Sequence, residues 1–204
     1  GIEVLENVLK NPSWDLFDKV FVEKIMNAKL SVISNDIKLW ELVKEWQNSG
    51  RAFSIIPNKM ACYSAVSVRK ILEIAIRYES NKRISEMPQK KIITFNRNDT
   101  IGEILKSMFE NKTRKLILEN SNQFVSDRII IGIIAQDKNY LRGIDDFLNH
   151  KINPSRLADA KEISQDLKIP EVSKIMFGML HPYIIYKDQV ITPWDLCMTL
   201  VPWM

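Results

Sequence analysis

The apolar residues of this 204-residue chain recur in three segments at the spacing of one helical face. In each segment they stand at positions i, i+3, i+4 and i+7, which is the period of an amphipathic helix. The positions are Leu39, Leu42, Val43 and Trp46; Ile101, Ile104, Leu105 and Met108; and Ile169, Val172, Ser173 and Met176, of which Ser173 alone is polar. The pattern predicts three equivalent helices, in which Trp46, Met108 and Met176 are equivalent buried residues.

Short apolar strands flank each predicted helix. One strand precedes the helix, at Leu30 to Ser34, Lys91 to Asn96 and Lys161 to Ser164. Two strands follow it on either side of a polar turn. The predicted pairs are Phe53 to Ile56 with Tyr63 to Val66, Leu116 to Leu118 with Ile129 to Ile134, and Tyr183 to Tyr186 with Gln189 to Ile191. A second helix closes each unit, so the predicted order is β-α-β-β-α.

The residues themselves repeat along with the pattern. Residues 31 to 57 align without a gap with residues 161 to 187, and residues 92 to 118 align with residues 30 to 56. The identical pairs in the first alignment are Ile33/Ile163, Ser34/Ser164, Asp36/Asp166, Lys38/Lys168, Glu41/Glu171, Lys44/Lys174 and Ile55/Ile185. The second alignment is weaker and shares Glu41/Glu103, Lys44/Lys106 and Ile55/Ile117. Such a duplicated unit determines the architecture of the chain.

The element order, an offset of about 65 residues between copies, and two closing segments resemble the CBS-domain family over residues 18 to 204. The closing segments are Gly132-Ile133-Ile134-Ala135-Gln136-Asp137 and Val190-Ile191-Thr192-Pro193-Trp194-Asp195. The resemblance implies an α/β (α+β) fold of tandem CBS-like units, with small sheets packed against helices and two units forming an intramolecular pair, or Bateman module. It predicts copy one at 18–80, copy two at 81–151 and copy three at 152–204.

Residues 1–17 precede these copies and form a separate N-terminal segment. Ile2, Leu5, Val8 and Leu9 follow a helical period, which Asn11-Pro12 ends. Trp14, Leu16 and Phe17 then continue the apolar pattern toward copy one. We expect this segment to pack on the repeats.

Units of the CBS-domain family commonly bind adenosine-containing ligands, and the turn from the last strand to the last helix often carries Ser or Thr followed three residues later by Asp. In the family the hydroxyl lies near phosphate and the carboxylate binds ribose hydroxyls. A helix N-terminus offers unpaired amides to an anion, and a carboxylate accepts hydrogen bonds from hydroxyl groups. The corresponding residues are Thr192 and Asp195 in copy three, Ser67 and Lys70 in copy one, and Ala135 and Lys138 in copy two.

A helix start without a ligand explains the same residues. Thr192 at the cap, Pro193 at the first helical position and Asp195 at the third would form a capping box. For Ser67 we favour the capping interpretation, because Lys70 stands in place of the acid and cannot accept hydrogen bonds from ribose. Lys70 could instead bind a phosphate group.

Three further residues are candidate ligand contacts through the same resemblance. Arg114 and Lys115 precede the apolar strand of copy two, where family members often carry a basic side chain that reaches the phosphates. The alternative is a solvated strand edge. Tyr183 holds the place of Lys115 in copy three, where it would stack on a base or pack in the core.

Composition and charge exclude several classes of function. The hydrophobic content of 46% and the charged content of 26% are typical of a folded soluble protein. The sequence shows neither a membrane span nor a secretory signal, so we expect a cytoplasmic protein with no membrane partner. The net charge of +4 permits a nucleic-acid partner, but basic and acidic residues alternate along most of the chain, and nucleic acid is not expected.

No catalytic or metal-binding pattern is present. Cys62 and Cys197 have no second cysteine or histidine at ligand spacing, and both are expected to be buried. His150 and His181 have no Ser, Cys or acid partner at a recognisable spacing, and the glycines form no phosphate-binding loop. We therefore expect no enzyme, no catalytic residue, no metal site and no required cofactor.

The predicted function is a regulatory module that binds an adenine nucleotide (AMP, ADP or ATP) or a related adenosyl compound, and controls a protein partner by rearranging its repeats. The alternatives are an interaction scaffold with degenerate, empty pockets and a nucleic-acid-associated regulator. Copies one and two are expected to pair, which leaves copy three without a mate. Its last helix would expose apolar residues, and a homodimer through copy three would cover them. These residues are Leu196, Met198, Leu200, Val201 and Trp203.

Overall fold

The computed structural model describes residues 1–10, 19–25, 30–59, 62–88, 90–136 and 144–200. The α-helices are α1 (Ile2–Lys10), α2 (Val22–Ile25), α3 (Leu39–Ser49), α4 (Val68–Arg77), α5 (Ile101–Glu110), α6 (Asp127–Gln136), α7 (Ile144–Asn149), α8 (Ile169–Phe177) and α9 (Pro193–Leu200). The strands are β1 (Phe53–Pro57), β2 (Tyr63–Ser67), β3 (Thr94–Phe95), β4 (Lys115–Leu118), β5 (Gln123–Ser126), β6 (Ala158–Asp159), β7 (Lys161–Ile163), β8 (Ile184–Tyr186) and β9 (Gln189–Ile191).

Copies one and three have the predicted strand pairs, and copy two has the same arrangement with a different last strand. In copy three, β7 runs parallel to β8, and β8 pairs antiparallel with β9. Copy two repeats this arrangement with β3, β4 and β5, and β6 extends the sheet beyond β5. In copy one the early strand is reduced to a single parallel bridge between Val32 and Ile55, beside the β1–β2 hairpin. The predicted architecture of small sheets packed with helices is therefore confirmed.

In each copy one helix follows the early strand: α3 in copy one, α5 in copy two and α8 in copy three. These three helices have the same register. Trp46, Met108 and Met176 are 0%, 1% and 0% exposed, so their predicted equivalence is confirmed. The structure explains why all three copies have a glutamate at the third position of this helix. Its carboxylate accepts a hydrogen bond from the backbone N–H three residues earlier, which caps the start of the helix. The distances are 2.9 Å for Lys38 to Glu41, 2.7 Å for Thr100 to Glu103 and 2.7 Å for Lys168 to Glu171.

The prediction for the last strand of copy two is wrong. Residues 129–134 were expected to be a strand, but they lie inside α6, and the last strand is β5. An apolar run of this length fits a strand and a buried helix equally well. The turn before β5 contains Asn120 with φ 55°. This is the left-handed conformation, which Asn adopts in turns more readily than most residues do. Ala135 is consequently near the end of α6, and Lys138 lies outside the described residues.

The chain forms two compact units that are not contiguous in sequence. Unit 1 contains Gly1–Ala28 and Ile92–Ala160, which include the N-terminal segment and most of copy two. Unit 2 contains Lys29–Lys91 and Lys161–Met204, which include most of copy one and most of copy three.

Copies one and three share the core of unit 2. Helix α4 of copy one packs against both α8 and α9 of copy three. Buried residues of this core include Ile71, Leu72, Val172, Leu196 and Leu200. The prediction that copy three has no mate within the chain is therefore wrong. Met198 is partly buried against the same core, and Val201 and Trp203 lie outside the described residues.

Unit 1 confirms that the N-terminal helix packs on the repeats. Helix α1 contacts α5 and α6 of copy two, and Leu5 on α1 is fully buried. Helix α7 packs on α5 at Gly102, where a Cβ atom would lie 3.2 Å from the backbone oxygen of Leu148. Trp14, Leu16 and Phe17 lie outside the described residues. In the ranges that the structure describes, no helix has both the length and the apolar character to cross a membrane.

Candidate functional site

The strand-to-helix turn of copy three carries both residues of the predicted motif. Strand β9 ends at Ile191, helix α9 begins at Pro193, and Thr192 links them. Asp195 Oδ2 accepts hydrogen bonds from Thr192 N at 2.9 Å and from Thr192 Oγ1 at 2.6 Å. Asp195 N donates to Thr192 Oγ1 over 3.4 Å. The reciprocal bonds form a capping box, so the structural role proposed for these residues is present.

The other carboxylate oxygen of Asp195 has a partner that the sequence did not indicate. Lys90 Nζ lies 2.5 Å from Asp195 Oδ1. The side chain of Asp195 is 9% exposed and that of Lys90 is 57% exposed, so the lysine reaches in from the surface. Lys90 lies ahead of the aligned repeat positions of copy two, and no spacing or motif connects it with Asp195.

In copy one, the structure confirms the turn but not the capping hydrogen bond. Ser67 occupies the N-cap of α4 in an extended conformation, and its side chain makes no capping hydrogen bond. Lys70 Nζ pairs instead with Glu73 Oε1 at 2.6 Å along the same helix. The Arg69 guanidinium donates hydrogen bonds to the backbone oxygens of Met179 and Leu180, at 2.7 and 3.1 Å. Arg69 therefore links this turn to copy three.

In copy two, the motif positions differ from those predicted. Gln123-Phe124-Val125-Ser126 matches Gln189-Val190-Ile191-Thr192 without a gap, and both segments lead directly from a strand into a helix. Ser126 is therefore the equivalent of Thr192, and its Oγ accepts a hydrogen bond from Ile129 N at 3.3 Å. Ile129 stands where the acid would be. The match between the two segments is the sequence signal that would have located Ser126.

A buried carboxylate nevertheless lies at this turn of copy two. Asp127 is 6% exposed and accepts a hydrogen bond from Arg114 Nε at 2.8 Å, while Arg114 Nη2 forms an ion pair with the same carboxylate. Lys115 lies opposite Ser126 in the β4–β5 register and is half-buried. Strand β4 is interior to its sheet, so the strand-edge interpretation does not apply to it. Arg114 and Lys115 thus belong to unit 1, beside Ser126.

Tyr183 lies at the hairpin that carries Thr192. It precedes β8, whose first residue Ile184 pairs with Ile191, the residue before Thr192. This register places Tyr183 next to the strand-to-helix turn of copy three. Tyr183 is half-buried, so the structure is compatible with both of the predicted roles, stacking on a base and packing.

The cysteines and histidines occupy varied surroundings. Cys197 is buried, which raises the pKa of its thiol to about 12. Cys62 is exposed beside the β1–β2 hairpin, so the prediction that it is buried is wrong. His150 Nδ1 lies 2.6 Å from the backbone oxygen of Asp146. Among the residues that the structure describes, no group of three or more His, Cys, Asp and Glu side chains could hold a metal ion.

No family model matches the sequence, and no curated protein matches it. Solved structures are similar in fold. Protein MJ1225 from Methanocaldococcus jannaschii, described as a candidate archaeal homologue of g-AMPK, is 12% identical with a TM-score of 0.75, over 98% of this chain and 82% of that chain. An uncharacterized conserved protein from Pyrococcus horikoshii is 13% identical with a TM-score of 0.62, over 88% of this chain and 82% of that chain.

A third structure, the CBS-domain containing protein ATU1752 from Agrobacterium tumefaciens, is 11% identical with a TM-score of 0.43 and covers 55% of this chain and 91% of that chain. The similarity to MJ1225 extends over nearly the whole of this chain, so it includes all three copies. The β-α-β-β-α units, their parallel-then-antiparallel strand pairing and this similarity agree with one another. The chain therefore has the fold of the CBS-domain proteins.

Proposed function

We propose that this chain is a regulatory module that binds an adenine nucleotide or a related adenosyl compound and controls a protein partner by rearranging its repeats. In this proposal it is a cytoplasmic protein without catalytic activity and without a required cofactor. The observation that carries the proposal is the turn of copy three, where a nearly buried carboxylate, Asp195, stands beside the hydroxyl of Thr192 at the start of a helix.

The chemistry of this turn suits a ribose phosphate. Asp195 Oδ1 is not used by the capping box and would accept hydrogen bonds from ribose hydroxyls. Thr192 and the first amides of α9 would receive a phosphate group, because the N-terminus of a helix attracts anions. Tyr183, beside Thr192, would contact the base. The proposed site thus has complementary groups for each part of an adenine nucleotide.

The turns of copies one and two are weaker candidates. Lys70 and Ile129 replace the acid, so neither turn offers a carboxylate at the position of Asp195. Ser67, Lys70, Arg114 and Lys115 remain candidate ligand contacts through their hydroxyl and positive charges. We therefore propose that copy three is the principal ligand-binding copy.

The test is calorimetric titration with adenosine, AMP, ADP, ATP and adenosylmethionine, after a thermal-shift screen, because a ligand of the native state raises its stability. Replacing Asp195 with Ala should weaken nucleotide binding by about 1 to 3 kcal/mol, the usual loss for a charge-assisted hydrogen bond. Glu171→Ala is the matched control, since Glu171 caps α8 of the same copy in the same way. Equal nucleotide affinities for the Asp195 variant, the control and the wild type would contradict the proposal.

A second candidate function is protein association through copy one. Ser54 on β1 is fully buried, so alternation along the strand directs Phe53 and Ile55 to the opposite face of the sheet. On this face Val32, Phe53 and Tyr63 are 57%, 41% and 65% exposed. The equivalent of Ile55 in copy three, Ile185, is 8% exposed. Exposed apolar side chains that share one face of a sheet are a feature of interaction sites.

We propose that this face joins two copies of the chain in a homodimer, because its outward side chains are uncharged and two such faces would meet without electrostatic repulsion. Val32→Lys should dissociate the dimer, since the interface would bury an unpaired charge. Phe177→Lys is the control, because Phe177 is also exposed, at 46%, but lies at the end of helix α8. Light scattering at micromolar concentration decides the question, and a monomeric wild type would contradict this proposal.

A further inference from the structure

The carboxylate of Asp195 is fully engaged in this structure. Thr192 N and Oγ1 donate to Oδ2, and Lys90 Nζ contacts Oδ1 at 2.5 Å. Asp195 Oδ1, which would accept a hydrogen bond from a ribose hydroxyl, is therefore already paired with the Lys90 ammonium. A ligand that uses Asp195 as proposed must move Lys90.

The backbone near Lys90 holds this lysine close to the turn. Lys91, the next residue, forms an antiparallel bridge with Gln189 at the start of β9. Strand β9 leads directly to Thr192, so the segment that carries Lys90 runs beside the strand that carries the site. All of these residues belong to unit 2. Lys90 is thus anchored at its backbone, while its side chain, 57% exposed, has room to turn.

We propose that Lys90 is a specificity-determining residue that makes the site select phosphorylated nucleotides over uncharged nucleosides. This inference rests on the proposed function of the copy-three turn. When the ligand binds, its ribose takes the place of Lys90 on Asp195, and the ammonium moves to the phosphate of the same ligand. The flexible four-carbon stem of lysine allows that movement from a fixed backbone.

The selectivity follows from the charges at the site. Adenosine would displace the ammonium from a buried carboxylate and offer no anion in exchange, so binding would lose the ion pair. AMP would bring its own anion, and the phosphate at Thr192 would lie within reach of the displaced ammonium. Adenosylmethionine carries a positive sulfonium, which would repel Lys90. The order of affinity expected for the wild type is therefore AMP above adenosine, with adenosylmethionine weaker than AMP.

Helix α1 provides a matched control within the same chain. There Lys10 Nζ lies 2.5 Å from Glu6 Oε1, and the Lys10 side chain is 67% exposed, so a surface lysine again pairs with a carboxylate at the same distance. Lys10 belongs to unit 1, whereas Thr192 belongs to unit 2, and Lys10 is not among the proposed ligand contacts. Its removal should therefore leave nucleotide selectivity unchanged.

The experiment compares Lys90→Met and Lys10→Met with the wild type in calorimetric titrations of AMP and adenosine. Thermal unfolding of each variant verifies that it is folded. Lys90→Met should bind adenosine more tightly and AMP more weakly, which lowers the ratio of the two affinities by about tenfold or more. Lys10→Met should keep the wild-type ratio.

The outcomes separate the inference from the proposed function. If the wild type and the Lys90 variant bind both ligands with the same affinity ratio, Lys90 does not determine specificity, while the proposed function stands. If neither ligand binds the wild type but adenosine binds Lys90→Met, the lysine blocks the site and the inference that it moves to phosphate is wrong. If no ligand binds either protein, the proposed function itself is overturned, and this inference with it.

Discussion

Trp46 Nε1 donates a hydrogen bond to Ser54 Oγ over 2.8 Å, and both side chains are fully buried. The bond joins helix α3 to strand β1 inside copy one. A buried indole N–H without a partner would lose its hydrogen bond to water and gain nothing, so Ser54 makes the burial of tryptophan possible. The equivalent residues in copies two and three are methionines, which need no such partner.

We predict that Trp46→Ala destabilises the protein by roughly 3 to 5 kcal/mol, because it removes a large side chain from a closed core. Trp46→Phe should cost less, about 1 to 3 kcal/mol, since it keeps most of the ring volume but removes the hydrogen bond to Ser54. Urea denaturation measures both changes. Trp40→Ala is the control, because Trp40 lies on the same helix and is 40% exposed. An unchanged midpoint for Trp46→Ala would show that the predicted helix register is wrong.

Ser173 gives a prediction of the opposite sign. It is fully buried on α8, and among the described residues its hydroxyl has no hydrogen-bond partner. Ser173→Ala should therefore stabilise the protein by about 1 kcal/mol, because it removes an unsatisfied polar group from the core and improves helix propensity.

Ser126→Ala is the matched control for that change. Ser126 is 1% exposed, but its hydroxyl accepts a hydrogen bond from Ile129 N, so its loss should destabilise the protein by about 1 kcal/mol. The two variants should shift the thermal unfolding temperature in opposite directions. A lower unfolding temperature for Ser173→Ala would mean that its hydroxyl makes a stabilising interaction in solution.

Cys197 predicts the behaviour of the protein at alkaline pH. Burial raises the pKa of this thiol from 9.0 to about 12. The folded protein favours the neutral thiol. This contribution to stability is complete below the pKa of the thiol in the unfolded chain, and it is lost as the pH rises toward the pKa in the folded protein. Stability should fall between about pH 9 and about pH 12, by at most about 1.4 kcal/mol per pH unit from this group.

Cys197→Ala isolates this contribution from the lysines and tyrosines that titrate in the same range. The variant should unfold in urea with a weaker pH dependence than the wild type, measured in the presence of a reducing agent. Thiol-modifying reagents should meanwhile react with the exposed Cys62 in the native state and with Cys197 only after unfolding. Equal pH dependence for the two proteins would show that Cys197 is accessible to water.

Local pattern was sufficient for the features that arise within one copy. The helical period located Trp46, Met108 and Met176, since amphipathic spacing depends only on the geometry of a single helix. The strands Gln189–Ile191 and Phe53–Pro57 were located to within a residue, because polar turns bound them. The Thr192 and Asp195 pair was visible for the same reason, as a capping box joins residues only three positions apart.

Three features depended on the tertiary structure. The sequence of residues 129–134 is compatible with a strand and with a helix, because both can bury an apolar run. Only the position of β5 in its sheet shows that these residues form a helix. The mate of copy three could not be deduced, since several amphipathic helices offer similar apolar faces, and only packing selects α4 for α8 and α9. The Lys90–Asp195 pair joins residues far apart in the sequence, and Lys90 lies outside the aligned repeat positions, so no periodic pattern indicates it. The sequence determined what each copy is, because that information is local; the tertiary structure decided which copies meet and which charges face each other, because those contacts depend on the packing of distant segments.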